Sequence, residues 1–417
     1  MKHLSYRENA LFIDSVNALD ITEEMFTPFY VYSKSAILRR ISEFKEAFEP
    51  LNPVIAYSAK ALDNINILRI MLEHDLYLAV VGFGGFTKAI VAGFPKDRII
   101  FGGPGKTDEE ITKGLYEKPF LFQIGSIFEL EVLKQISGEK KTRQNIGLRL
   151  NLGIDPDVPS YFSEGISESK FGIDIGSFEQ ALAIIADSPW LKLKAVGAHL
   201  GSQITTIDPF VEEANALIDN FLQAQAAGHQ VEFINMGGGF SIDYEEGEAL
   251  DINELAAKLI PIFKEVDAQV IFEPGRLLVG DSGLLITRVL GVKPAGNLTF
   301  IFVDAGMNDL IRPSLYEAYH EAVPLVIRDG EEITANIVGP VSGTRDFLGL
   351  ERPLVKPLRG EFLAFLNAGA YCSTMASNYN SRRRAAEVLV DNDDFTVIRH
   401  RETWEDLYKN DVLDSGA

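Results

Sequence analysis

The sequence predicts an α/β protein: an eight-stranded parallel β/α (TIM-like) barrel plus a mostly β C-terminal domain. Two observations predict it. Short apolar runs alternate with longer amphipathic segments through about 220 residues, which matches eight β/α units in number and size. After about Arg276 the texture changes, and strand-like runs follow one another with little helical pattern between them.

The predicted barrel strands are residues 54–58, 77–81, 98–101, 120–124, 145–150, 195–199, 232–236 and 270–273. Helical periodicity falls between them, at residues 66–73, 126–136, 177–186, 209–227 and 253–266. Beyond the barrel, residues 283–292, 299–304 and 362–367 read as strands of the second domain. The expected division is an N-terminal segment 1–34 joining the β domain, a cofactor-binding barrel 35–277, and a β-rich domain 278–417.

Composition narrows the function. Of the 417 residues 46% are hydrophobic and 24% charged, as expected for a globular chain. A formal net charge of −21 argues against nucleic acid, whose phosphates need a basic face. The single cysteine, Cys372, allows neither an intrachain disulfide nor a Cys-rich metal site, so no metal is expected. The opening MKHLSYRENALFIDSV lacks the apolar core of a signal peptide, and no run approaches the roughly 18 apolar residues of a membrane span. The expected compartment is the cytoplasm, and the expected partner is a small molecule.

In a β/α barrel, functional residues lie at the C-terminal ends of the strands. Those ends carry Lys60 in AYSAK after the first strand and His199 and Ser202 in HLGSQ after the sixth. Gly237, Gly238 and Gly239 follow the seventh, and Glu273, Gly275 and Arg276 follow the eighth. Taken singly, each has an ordinary reading: a surface lysine, a core histidine, a tight turn, a strand-end acid. Taken together they suit pyridoxal phosphate. That cofactor needs an amine for its aldehyde, a phosphate cradle, a flat partner for its ring and an acid at its pyridine nitrogen. Lys60, the glycine run, His199 and Glu273 supply these in turn.

The motifs TPFYVYS, HLGSQI, MGGGF, FEPGR, DAGMNDLIRPSLY and AGAYCSTMASNYNSR, spread over nearly the whole chain, resemble the fold-type III pyridoxal-phosphate-dependent decarboxylase family. Within it, the segments around Arg312 and Tyr316 and from Tyr371 to Arg382 resemble the diaminopimelate decarboxylases. The resemblance implies decarboxylation of meso-2,6-diaminopimelate to L-lysine, a step of lysine biosynthesis. It implies Lys60 as the lysine that holds the cofactor aldehyde and His199 as the ring stacked on it. It gives Ser202, Gly238, Gly239, Glu273, Gly275, Arg276 and Tyr371 as cofactor contacts. Arg276, Arg312, Tyr316 and Tyr371 would bind substrate, the arginines through their fork to the distal carboxylate. A homodimer with shared active sites is also implied.

The sequence departs from the family pattern on one rim. Where the family has Cys-Glu-Ser followed by an aspartate two residues on, this chain has Ser342, Gly343, Thr344 and Asp346. The family's Asp-Val-Val-Ser-Gly-Gly-Glu appears as Ala79 to Gly85, and an asparagine after the Lys-Ala pair is Leu62. Each change removes a polar group. Three readings stay open: the diaminopimelate enzyme, a related decarboxylase for another amino acid, and a catalytically impaired paralogue acting as a partner subunit. The proton donor to the reacting carbon is also open, because Ser342 is a poor acid; Cys372 is either that donor or a small packing residue.

Overall fold

A computed structural model describes residues 2–156, 158–159, 163–165, 169–245 and 249–413. The chain folds as two compact units. One comprises Ile41–Ile242 and Glu248–Leu278; the other comprises Met1–Arg40, Asp243–Gly247 and Val279–Ala417.

The first unit is a closed barrel. Its strands are β1 (Val54–Ser58), β2 (Tyr77–Val81), β3 (Ile99–Gly102), β4 (Leu121–Ile124), β5 (Gln144–Asn151), β6 (Leu191–Gly197), β7 (Phe233–Asn235) and β8 (Gln269–Phe272). Every neighbouring pair is parallel, and β8 pairs back onto β1, so the sheet has no edge. Val54, Ala56, Ala79, Ile100, Leu121, Ala195 and Ile271 cluster as one apolar layer. Small alanines beside branched chains let such a narrow interior fill without a void.

Side-chain caps fix where the surrounding helices begin. Thr107 and Glu110 form a reciprocal capping box ahead of Asp108–Glu117, and Asp251 accepts from the backbone of Asn253 and Glu254. One strand differs from expectation. The sixth starts at Leu191 rather than residue 195 and stops at Gly197. Lys192 and Lys194 hide its beginning in the sequence, yet Lys192 lies in the ladder and Lys194 at a bulge within the strand, where it offsets its charge against Glu232. His199 therefore stands on the loop just past the strand.

The second unit is built on a mixed sheet. Its order is Phe347–Val355, Glu332–Val338, Leu298–Val303, Gly283–Ala295, Phe29–Ser33, Ala386–Asp391 and Asp394–Arg399. Phe29–Ser33, from the start of the chain, pairs antiparallel with Gly283–Ala295 and parallel with Ala386–Asp391. All five of its residues are buried, which explains its unbroken apolar and aromatic run. The core around it gathers Leu11, Ile13, Val31, Leu284, Ile286 and Val388 among others. No helix among the described residues is long and apolar enough to cross a membrane.

Candidate active site

A cavity of about 240 Å³ opens at the C-terminal end of the barrel strands, lined by Lys60, Arg149, His199, Gly238 and Glu273, among others. These side chains meet because each follows a different parallel strand, whose C-terminal ends share one rim. Ala79, Val80 and Val81 of β2 also line it as an apolar wall, and Ala79 is there one of the positions that lack the family's polar groups.

His199 is held as a neutral ring. The backbone N–H of Gly238 donates to its Nδ1 at 3.0 Å, which leaves the proton on Nε2. Burial pushes the imidazole down to about 3, although Glu164 opposes the shift. The folded state therefore binds fewer protons than the unfolded chain between about pH 3 and 6.5, and stability is lost as pH falls through that window. Buried His3 behaves the same way, lowered to about 4. In chemical denaturation from pH 6.5 to 4.5, wild type is expected to lose stability with a slope approaching ~1.4 kcal/mol per pH unit for each such histidine. His199→Phe should show a slope smaller by about one proton, and an unchanged slope would contradict the neutral assignment.

The glycine run packs against its neighbours more closely than any side chain would allow. A Cβ at Gly238 would lie 2.4 Å from the Glu273 carbonyl oxygen, and Gly239 sits at φ +105°. Asn235 ties the strand ends together: its amide donates to Glu273 Oε1 at 2.7 Å and its Oδ1 accepts from Gly237 N–H at 2.8 Å. Burial raises the Glu273 carboxyl above its ordinary range, against the pull of Asn235, Arg149 and Lys60. Arg276 donates to Ser202 Oγ at 2.9 Å, which joins two more of the predicted residues, and Gly275 packs on Ser58.

Arg149, near the end of β5, was not among the predicted site residues. It pairs with Glu164 at 2.6 Å, and its guanidinium lies 4.7 Å from the Phe171 ring centroid. Burial works against ionisation of Glu164, but His199, Lys60 and Arg149 outweigh it and hold the carboxyl at about 2. An arginine inside an otherwise apolar strand next to its C-terminal end was the signal that could have found it.

Arg312, Tyr316 and Tyr371 belong to the other unit. Arg312 is 2% exposed and donates to the Tyr244 hydroxyl at 3.0 Å and to His320 Nε2 at 2.8 Å. Neither partner is a carboxylate, and no carboxylate among the described residues pairs with it. Its Nε is buried without a hydrogen-bond partner there. Tyr316 ends the short helix Arg312–Tyr316, and Tyr371 adopts a left-handed backbone at φ 58°. Cys372 is buried with its thiol directed to the Ala370 carbonyl at 3.4 Å, the geometry of a packing residue. The exposed stretch from Ser342 to Arg345 keeps a fixed frame, because Asp346 accepts from Met307 and Val341 N–H at 2.6 Å each.

The residues present fit pyridoxal phosphate. An exposed lysine, a half-buried neutral imidazole, a half-buried carboxyl and glycines with no room for a side chain border one cavity. The chain matches the family model described as pyridoxal-dependent decarboxylase, pyridoxal binding domain, over residues 34–280. It is 37% identical over 404 residues to a diaminopimelate decarboxylase of Aquifex aeolicus, covering 97% of this chain and 96% of that one. A Neisseria meningitidis diaminopimelate decarboxylase is 36% identical over 402 residues, 96% and 97% of the two chains. Among solved structures, diaminopimelate decarboxylase of M. jannaschii in complex with L-lysine superposes with a TM-score of 0.93 at 31% identity, covering 98% of each chain. The Helicobacter pylori enzyme with L-lysine gives 0.90 at 33% identity over 94% of this chain and 98% of that one.

Proposed function

The chain belongs to the pyridoxal-dependent decarboxylases, and we propose that it decarboxylates meso-2,6-diaminopimelate to L-lysine and carbon dioxide with pyridoxal 5'-phosphate. The observation that carries the choice of substrate is Arg312: a buried guanidinium bonded to a hydroxyl and an imidazole, with no carboxylate partner among the described residues. A buried cation is costly unless an anion meets it. A substrate with a second carboxylate, remote from the reacting carbon, supplies that anion. The names of the relatives and the L-lysine in two similar structures support the same reading.

Pyridoxal phosphate, when bound, supplies an electron sink for the pair left behind by departing carbon dioxide. Lys60 would hold its aldehyde carbon, His199 its ring face, and Glu273 a proton at its ring nitrogen. Gly238, Gly239, Ser202, Gly275, Arg276 and Tyr371 would hold its phosphate and edges. Arg276, Arg312, Tyr316 and Tyr371 would orient the substrate so that only one carboxylate stands at the reacting centre. Because L-lysine retains the L-centre of the meso compound, the carboxylate lost belongs to the D-centre. A homodimer in the cytoplasm completes the proposal, as the family resemblance and the composition support.

The experiment is turnover of meso-diaminopimelate against D-lysine, which keeps the reacting centre but lacks the distal carboxylate. Wild type should release L-lysine and carbon dioxide in equal amounts from the first and be far slower on the second. Arg312→Leu should lower kcat/KM for diaminopimelate by roughly ten- to a hundred-fold and leave D-lysine turnover unchanged. Equal losses on both substrates would remove Arg312 from the distal site.

A further inference from the structure

We infer that His320 is a positioning residue for Arg312, acting as a neutral imidazole that accepts through Nε2. The inference rests on the reading of Arg312 as the grip on the retained carboxylate.

His320 is fully buried, and its two ring nitrogens face groups of opposite kind. Nδ1 lies 2.8 Å from the Leu366 carbonyl oxygen, which can only accept, so Nδ1 carries the proton. Nε2 lies 2.8 Å from Arg312 Nη1, which can only donate, so Nε2 must offer its lone pair. The two neighbours thus select one tautomer. A doubly protonated ring would set two donors face to face.

The consequence for Arg312 follows from its fork. Nη1 carries two hydrogens, and the Tyr244 hydroxyl at 3.0 Å takes the second. The Tyr244 ring also lies 4.8 Å from the guanidinium carbon and meets the His320 ring edge-on at 5.5 Å. Nη1 is therefore saturated by two neutral acceptors. What remains is the Nε–Nη2 edge, with Nε buried and unpartnered among the described residues. That edge presents two parallel N–H groups, the pattern that takes a carboxylate bidentately. A carboxylate in place of His320 would orient the guanidinium equally well but neutralise it; a neutral acceptor orients it and leaves its charge for the ligand.

The test compares L-lysine, which carries the retained carboxylate, with 1,5-diaminopentane, which lacks it, as inhibitors of the holoenzyme. His320→Asn keeps a short amide for the Leu366 carbonyl but does not reach Arg312. The ratio of the two inhibition constants should fall about ten-fold, with 1,5-diaminopentane binding and cofactor content unchanged. His320→Gln places an amide oxygen near the Nε2 position and should restore most of the ratio. An unchanged ratio in His320→Asn, equal weakening of both inhibitors, or a reversed order of the two variants would overturn the inference. In the last case the ring serves the Leu366 carbonyl. Arg312→Leu runs alongside: if it leaves the ratio at the wild-type value, the reading of Arg312 itself fails, whatever His320 does.

Discussion

Replacement of Lys60 by alanine is expected to lower kcat/KM for diaminopimelate by at least about a thousand-fold, the largest loss of any single change considered. Lys60 follows β1, is exposed, and borders the same cavity as His199, Gly238 and Glu273. In the proposed function its amine would be both the tether of the cofactor and the group that releases each product. The contacts assigned to Gly238, Gly239, Ser202 and Arg276 remain in the variant. Lys60→Ala should therefore still take up the cofactor, but dialysis should remove it and borohydride should fix none of it to the chain. Retained covalent attachment in the variant would move the tether to another lysine.

Glu273→Gln should follow, with kcat down roughly a hundred- to a thousand-fold at nearly unchanged cofactor content. The carboxyl is part-buried at the end of β8, held by Asn235, and raised by its desolvation. Such a group stays close to its proton and can place it on a ring nitrogen, where positive charge strengthens electron withdrawal from the reacting carbon. Glutamine keeps the size and the bond to Asn235 but has no acidic proton. An effect on KM alone would show that Glu273 binds without contributing to the chemical step.

How much of this was legible in the sequence differs by feature. The barrel strands were readable because a parallel strand covered on both faces is a short apolar run between amphipathic segments. The sixth was blurred where Lys192 and Lys194 put charges into the strand. Lys60, His199 and Glu273 could be picked out because chemistry-bearing residues at strand ends stand against an apolar background. Arg149 looked like part of a strand, and its partner Glu164 lies 15 residues on, so their meeting is a product of the barrel. The same holds for Arg312: Tyr244 lies 68 residues away and His320 eight, and no local pattern announces that they share a nitrogen. The place of Phe29–Ser33 between two strands from the far end of the chain is likewise a long-range pairing without a local signal.

On one rim Ser342 and Gly343 stand where the family has cysteine and glutamate, so turnover of diaminopimelate tests whether these replacements are tolerated. The most direct measurement is carbon dioxide release by the purified protein with added pyridoxal phosphate, with meso-diaminopimelate, lysine, ornithine, arginine and glutamate as parallel substrates. The account predicts release from diaminopimelate, with L-lysine formed in equal amount, well above release from the other four. Release from another amino acid with none from diaminopimelate, or no release from any while the cofactor is bound, would contradict it.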